Sequence, residues 1–480
     1  MPTTIDPFRS ATALAAAIGH RELSPVEVAD VYLDRVDDLD GELNAFCFRG
    51  DDDVRAAAAA AADRVVHASS PDDLPPFLGV PLPIKDLLDV AGWPTTHGSA
   101  GAHPGPVARS SPVVRRFVDA GFVPFGKTTT SEFGTVPFTE SEVLGTSRNP
   151  WDPECTPGGS SSGAGVSVAA GMAPIAHAAD GGGSIRIPAS CTGLVGHKPT
   201  RGLVTNGPIA SEGFAAEGVV ARTVQDAAAA LDVLARHDPG AWWSPPTPER
   251  SFQAALRDRP PTGLRVGVLV DAPIDGVPVD PACRDAVAAT VQALADAGHR
   301  IEDASLPLPP TDDVLAAFTP VWNLAGVDVD LADPDAIEPL ARALRAEATA
   351  TDSWAYARAV LASQDVSRRI VEAFTERFDL LVTPTMACLP PAVGFWRDGA
   401  DEDPMAPLRH SYPMAVFTSL FNVTGQPAVS VPTHHDAASG LPVGVQLVAA
   451  PWQDTRLLRV AQTLEAALPW AGRRPDLCRR

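Results

Sequence analysis

The chain has 480 residues, 45% of them hydrophobic and 20% charged, which is enough apolar material for a large buried core. A formal net charge of -22 repels phosphate backbones and anionic lipid, which argues against nucleic-acid and membrane-surface partners. No apolar run reaches the length of about 18 residues that a bilayer span needs, and six cysteines without a C-x-x-C pair fit reduced thiols and a cytoplasmic setting.

Residues 1–67 read as helical. The apolar stretch from Ala11 to Ile18 follows Asp6 and closes at Gly19-His20-Arg21-Glu22, the ending of a helix and not of a signal peptide. Ser24-Pro25-Val26-Glu27 forms a capping box with proline at the first helical position, and Val28, Val31, Tyr32 and Val36 continue an apolar side. An alanine-rich helix is expected from Asp52 to Val66. From 77 to 236 short apolar runs (Gly79 to Ile84, Phe122 to Gly126) alternate with helical patterns such as Pro112 to Ala120, the rhythm of an α/β sheet.

Residues 237–263, with Trp242-Trp243-Ser244-Pro245-Pro246, read as a linker or surface excursion. Residues 264–480 resume the alternation: strands at Leu264 to Val270, Arg300 to Leu306, Asp379 to Thr383, Ala428 to Val431 and Val443 to Val448, with helices at Pro281 to Gly298, over most of 312–378 and at Thr455 to Leu468. Strands at both ends of the sequence predict one sheet assembled from both halves. The expected fold class is α/β, a single large α/β/α domain whose mixed, mostly parallel central sheet is covered by helices.

Chemistry concentrates between Thr156 and Ser190, where two glycine clusters present Ser160 and Ser184 on either side of an alanine-rich connector. Glycines before Ser184 can aim successive N–H groups at one point, as an oxyanion requires. Gly159-Ser160-Ser161-Ser162-Gly163 also fits G-x-S-x-G, with Ser161 as nucleophile. That elbow needs a preceding strand, and Asn149-Pro150-Trp151-Asp152-Pro153 is a poor one. A phosphate cradle lacks its G-x-x-x-x-G-K-[ST] pattern.

A serine needs a base, and no histidine sits in a triad or metal-ligand pattern, so neither metal nor cofactor is expected. Three lysines stand among 37 basic residues, and arginine cannot deprotonate. Chemistry alone leaves Lys85, Lys127 and Lys198 open as candidate bases.

The ordered blocks Gly79 to Asp86, Pro94 to Ser99, Arg148 to Asp152, Pro157 to Gly163, Asp180 to Ala189 and Gly196 to Thr200 resemble the amidase signature family. Weaker matches follow at Thr383 to Thr385, Asn422 to Ala428 and Leu441 to Gln446. The resemblance implies the amidase signature fold and a Ser-cisSer-Lys triad with an acyl-enzyme intermediate. Ser184 would be the nucleophile, Ser160 the bridging serine after a cis peptide from Gly159, and Lys85 the base. Backbone N–H groups of Gly181, Gly182, Gly183 and Ser184 would form the oxyanion hole, Ser161 would donate a hydrogen bond within the triad, and Asp180 and Arg186 would pair to brace the loop.

Ser162, Gly181 and His197 depart from the residues usual in the family. Phe138, on segment 133–139, Trp322, Phe318 and Trp396, within 312–414, and Phe417, just after it, are the candidate pocket liners. The implied activity is hydrolysis of a small-molecule amide, with a homodimer left open. The alternatives are a glutamine-hydrolysing A subunit of a tRNA-dependent amidotransferase, a carbamate or ester hydrolase, and a non-catalytic member of the fold.

Overall fold

The computed structural model describes residues 5–205, 207, 213–324, 327 and 329–479. Its strands are β1 (Phe46–Phe48), β2 (Pro81–Lys85), β3 (Val123–Thr128), β4 (Glu140–Ser141), β5 (Gly145–Thr146), β6 (Ile175–Asp180), β7 (Val195–Lys198), β8 (Ala216–Ala221), β9 (Arg265–Val268), β10 (Arg300–Asp303), β11 (Leu380–Pro384), β12 (Ala428–His435) and β13 (Pro442–Val448). Eight of them form the central sheet in the order β10-β9-β11-β13-β12-β7-β8-β6. Strands from both halves of the sequence therefore share one sheet, with helices packed on it, and the chain is a single α/β domain.

The sheet is mixed, as expected, but its parallel share is smaller than expected. Only β10 with β9 and β9 with β11 run parallel, and the other neighbours are antiparallel. The connections explain this. A parallel pair needs a crossover long enough to hold a helix, and the Pro281–Asp296 helix supplies one between β9 and β10. Between β12 and β13 the chain turns back within a few residues, with Asp436 N–H donating to the Leu441 carbonyl at 2.9 Å, so only an antiparallel return is available.

A three-stranded sheet, β1-β3-β2, lies beside the main one, with β2 against β6. This juxtaposition carries Lys85, the last residue of β2, to the strand that precedes the second serine cluster. The supposed connector between the clusters is in fact a helix (Ser162–Ala169) followed by strand β6. Every residue of that helix is buried. Small alanine and glycine side chains let the backbone run through the centre of the molecule, and a Cβ on Gly163 would stand 2.0 Å from the Ala45 carbonyl oxygen.

The N-terminal helices are part of this packing. The Ser24 capping box with Glu27 is present, and Leu14 and Ile18 of the Ala11–Gly19 helix are fully buried. The Ala11 and Thr12 N–H groups each donate to the Asp226 carboxylate at 2.9 Å. Within 237–263 the Phe252–Ala255 helix buries Phe252, whereas Trp242 and Trp243 are exposed. No helix among the described residues is long and apolar enough to cross a membrane.

Candidate active site

Each of the three lysines is buried, and each has a different partner. Lys127 Nζ lies 2.5 Å from Asp86 Oδ1 and also donates to Thr95 Oγ1 and the Pro94 carbonyl. Lys198 Nζ donates to the Pro199 carbonyl at 2.9 Å. Lys85 Nζ is 2.7 Å from Ser160 Oγ and 3.5 Å from the Ala179 carbonyl oxygen. Loss of hydration lowers the Lys85 pKa to about 7, against the opposing pull of Glu217 and Asp180. A lysine so held is half neutral near physiological pH and can take a proton.

Beneath Lys85 lies a pair that sequence reasoning missed. The Lys85 N–H donates to His177 Nδ1 at 3.3 Å, and His177 Nε2 is 2.9 Å from Glu217 Oε2. Both residues come from adjacent strands, β6 and β8, in a region whose alanine and glycine content hides its strands.

The Gly159–Ser160 peptide is cis, and a Cβ placed on Gly134 would stand 3.3 Å from Ser160 Oγ, so the Glu132–Gly134 turn lies against this serine. Ser161, expected to donate within the triad, instead points its hydroxyl at the Ala179 carbonyl, 3.3 Å away. Ser162, unusual for the family, donates to the Gly158 carbonyl at 2.6 Å and accepts from Thr139 at 2.7 Å. It ties the serine loop to the neighbouring segment.

Ser184 follows β6 on a tightly braced loop. Arg186 donates to both Asp180 carboxylate oxygens, at 2.9 and 2.8 Å, and both side chains are fully buried. Burial raises the Asp180 pKa, but the charge and hydrogen bonds of Arg186, with the Lys198 charge and the Asn422 hydrogen bond, together outweigh it and hold the carboxyl at about 2. Arg186 also reaches Gln446 Oε1 and Asn422 Oδ1, each at 2.6 Å, while Asn422 Nδ2 donates to the Asp180 carbonyl. Asn422 and Gln446 fall in blocks that carry the family resemblance, which was the available signal for them.

The oxyanion expectation needs correcting at one position. The Gly183 N–H donates to Asp180 Oδ1 at 2.8 Å, because the carboxylate curls back under the loop. His197, another departure from the family pattern, lies by Asp454, 3.4 Å from its carboxylate.

Ser184 borders a cavity of about 240 Å³ whose lining includes Gly134, Gly182, Ile187, Phe318 and Trp322. Of the expected liners, Trp322 and Phe318 face it. Phe138 does not: it is buried between Phe395 and Trp396, stacked on the latter at 5.7 Å. Phe417 is likewise absent from the lining and packs into the main core. Trp396 does not line the cavity. Among the described residues no group of three His, Cys, Asp or Glu could hold a metal ion.

A single α/β domain on a mixed eight-stranded sheet, with a buried lysine hydrogen-bonded to Ser160 and a second serine, Ser184, at an adjoining apolar cavity, has the setting of a hydrolase site. Residues 27–458 match the profile of the family described as Amidase, and the chain belongs to this family and hydrolyses amide carbon–nitrogen bonds. It is 38% identical to a protein named putative amidase AmiB2 from Mycobacterium tuberculosis, across 98% of each chain. It is also 34% identical to 6-aminohexanoate-cyclic-dimer hydrolase from Paenarthrobacter ureafaciens, across 98% of this chain and 97% of that one.

A solved structure of 6-aminohexanoate cyclic dimer hydrolase complexed with substrate superposes with a TM-score of 0.90 at 33% identity, covering 99% of this chain and 100% of that chain. A bacterial aryl acylamidase of the amidase signature family superposes with a TM-score of 0.86 at 25% identity, covering 97% and 99%.

Proposed function

We propose that the chain hydrolyses the amide bond of a small organic substrate through Ser184, Ser160 and Lys85, by way of an acyl-enzyme. Neutral Lys85 Nζ takes the Ser160 hydroxyl proton as Ser160 Oγ takes that of Ser184. Ser184 Oγ then bonds to the carbonyl carbon, and the displaced electron pair moves to the carbonyl oxygen. With the Gly183 N–H held by Asp180, that oxygen falls to the N–H groups of Gly181, Gly182 and Ser184.

Collapse of the intermediate expels the nitrogen, which leaves only if protonated, so the same relay run backwards returns a proton to it. Water, deprotonated by the relay, then cleaves the acyl ester, releases the acid and restores Ser184. Asp180 and Arg186 act by holding the loop.

The observation that carries this reading is the 2.7 Å contact between a fully buried Lys85 and Ser160, beside a cavity that Ser184 borders. The cyclic dimer of 6-aminohexanoate and aryl acylamides, named for the two structural neighbours, are the first substrates to try. Fluorophosphonate should label Ser184, and Ser184→Ala should lose both labelling and turnover; a Ser184→Ala protein with near-normal turnover would overturn the assignment. Ammonia or amine release by this chain alone separates a free-standing amidase from a glutamine-hydrolysing subunit that needs partners.

A further inference from the structure

The cavity beside Ser184 has a chemistry of its own. Its wall is largely aliphatic and aromatic, with Leu308, Val314, Leu315, Phe318, Trp322 and Val366 prominent. The polar side chains that reach it are mostly committed to the protein: Ser363, Ser411, Ser419 and Thr135 donate to the carbonyls of Ala317, Leu408, Gly182 and Glu132. Arg409 is the one charged side chain among the described lining residues, and it is paired with Asp403. A charged substrate group held against the apolar wall would lose its hydration, and Arg409, half-exposed and already paired with Asp403, offers it only a screened counter-ion.

The aromatic part of the wall is ordered. Phe318 and Trp322, one turn apart on the Thr311–Trp322 helix, stack at 5.4 Å with planes 20° apart, and Phe214 continues the stack at 6.0 Å from Phe318. The free end of the stack reaches the nucleophile loop: a Cβ on Gly181 would stand 3.3 Å from Trp322 Cζ3, and one on Gly182 3.4 Å from Trp322 Cη2. The absence of side chains at these two glycines lets the edge of the indole pack closely against the carbonyl-binding loop. An apolar cavity of about 150 Å³ accepts a benzene ring, so a cavity of about 240 Å³ has room for a ring and a short substituent.

We infer that this site selects uncharged amides carrying an aromatic ring on one side of the scissile bond, and that Trp322 is the residue that seats the ring. Glutamine, with a free ammonium and carboxylate, is disfavoured by the same lining. The inference rests on the amidase reading above, and its test is built to fail separately from it.

The purified enzyme, first confirmed to be labelled at Ser184 by fluorophosphonate, is assayed for product release from acetamide, benzamide, acetanilide, glutamine and 4-carbamoylbenzoate. At least one of benzamide and acetanilide should exceed acetamide in kcat/KM by about tenfold or more, with glutamine and 4-carbamoylbenzoate below both. Trp322→Ala should shrink the aromatic-to-acetamide ratio by about tenfold, chiefly through KM, and Trp322→Phe should restore much of it.

Continued labelling at Ser184 certifies that each variant keeps its site. Preference for glutamine or 4-carbamoylbenzoate, or a ratio unmoved by Trp322→Ala, overturns the inference and leaves amide hydrolysis standing. Failure to cleave any amide, with no labelling, overturns the catalytic reading itself.

Discussion

A buried lysine is costly to charge unless an anion stands against it, and the three lysines divide on this point. Lys127 has Asp86 at 2.5 Å, whereas burial drives Lys85 and Lys198 down to about 7. Replacing each therefore has a different consequence. Lys127→Met leaves the Asp86 carboxylate buried without its cation and should cost about 3–5 kcal/mol of stability in a urea melt. Lys85→Met removes a disfavoured charge, so it should abolish turnover while the melt stays at or above that of the parent. Turnover near the parent rate in Lys85→Met, or an unchanged melt in Lys127→Met, would contradict these roles.

The pH profile belongs to the same residue. Lys85 accepts a proton only when neutral, so kcat/KM should climb through about pH 7 and level off above it. Glu217 holds the Lys85 pKa up, and Glu217→Gln should move that climb to lower pH; a profile flat across the neutral range would exclude Lys85 as base.

At the scale of elements, the position of Ser184 depends on how the loop between β6 and the Arg186–Thr192 helix is clamped. Thr418 and Ser419 donate to the Gly182 carbonyl at 2.7 and 3.0 Å, and Gly183 beside it has φ +136°, a left-handed conformation that side chains avoid. A Cβ there would stand 2.3 Å from Thr418 Oγ1. Gly183→Ala should therefore cost about 1–3 kcal/mol in stability from backbone strain, and pushing the loop off Thr418 should lower kcat by about a hundredfold. Wild-type kinetics in Gly183→Ala would mean that the loop tolerates displacement and is not a rigid mount.

The same elements mark the limit of what sequence carries. Helices with caps and periodic apolar faces are legible because their signals are local: the start of Pro25–Leu43 and both ends of Pro281–Asp296 fall within a few residues of the sequence reading. Strand β6 reads IAHAAD, with one β-branched residue, and becomes a strand only by pairing with β8 along its length. The His177–Glu217 pair was hidden with it. Phe138 and Phe417 looked like pocket residues for a related reason. An aromatic side chain is apolar on a pocket wall and in a core alike, and only the tertiary path of the Thr311–Trp322 helix separates Trp322 from them.

For the molecule as a whole, these buried groups predict an unusual dependence of stability on pH. Burial lifts Glu132 and Glu465 to about 7 from 4.5, so between those values the folded chain holds protons that the unfolded chain releases, and raising the pH favours unfolding. Lys85 and Lys198 work the other way: folded, they are neutral above about 7, while the unfolded chain keeps their protons up to 10.5. Above neutrality, raising the pH therefore favours folding.

The two arms meet near pH 7, where thermal stability should pass through a shallow minimum, each group contributing at most about 1.4 kcal/mol per pH unit. Calorimetry at pH 5.5, 7 and 8.5, about one and a half units either side, should return the lowest Tm in the middle. Glu132→Gln with Glu465→Gln should flatten the acid arm and Lys198→Met should weaken the alkaline one. A Tm that instead peaks near 7 in the parent protein would overturn this balance of the four groups.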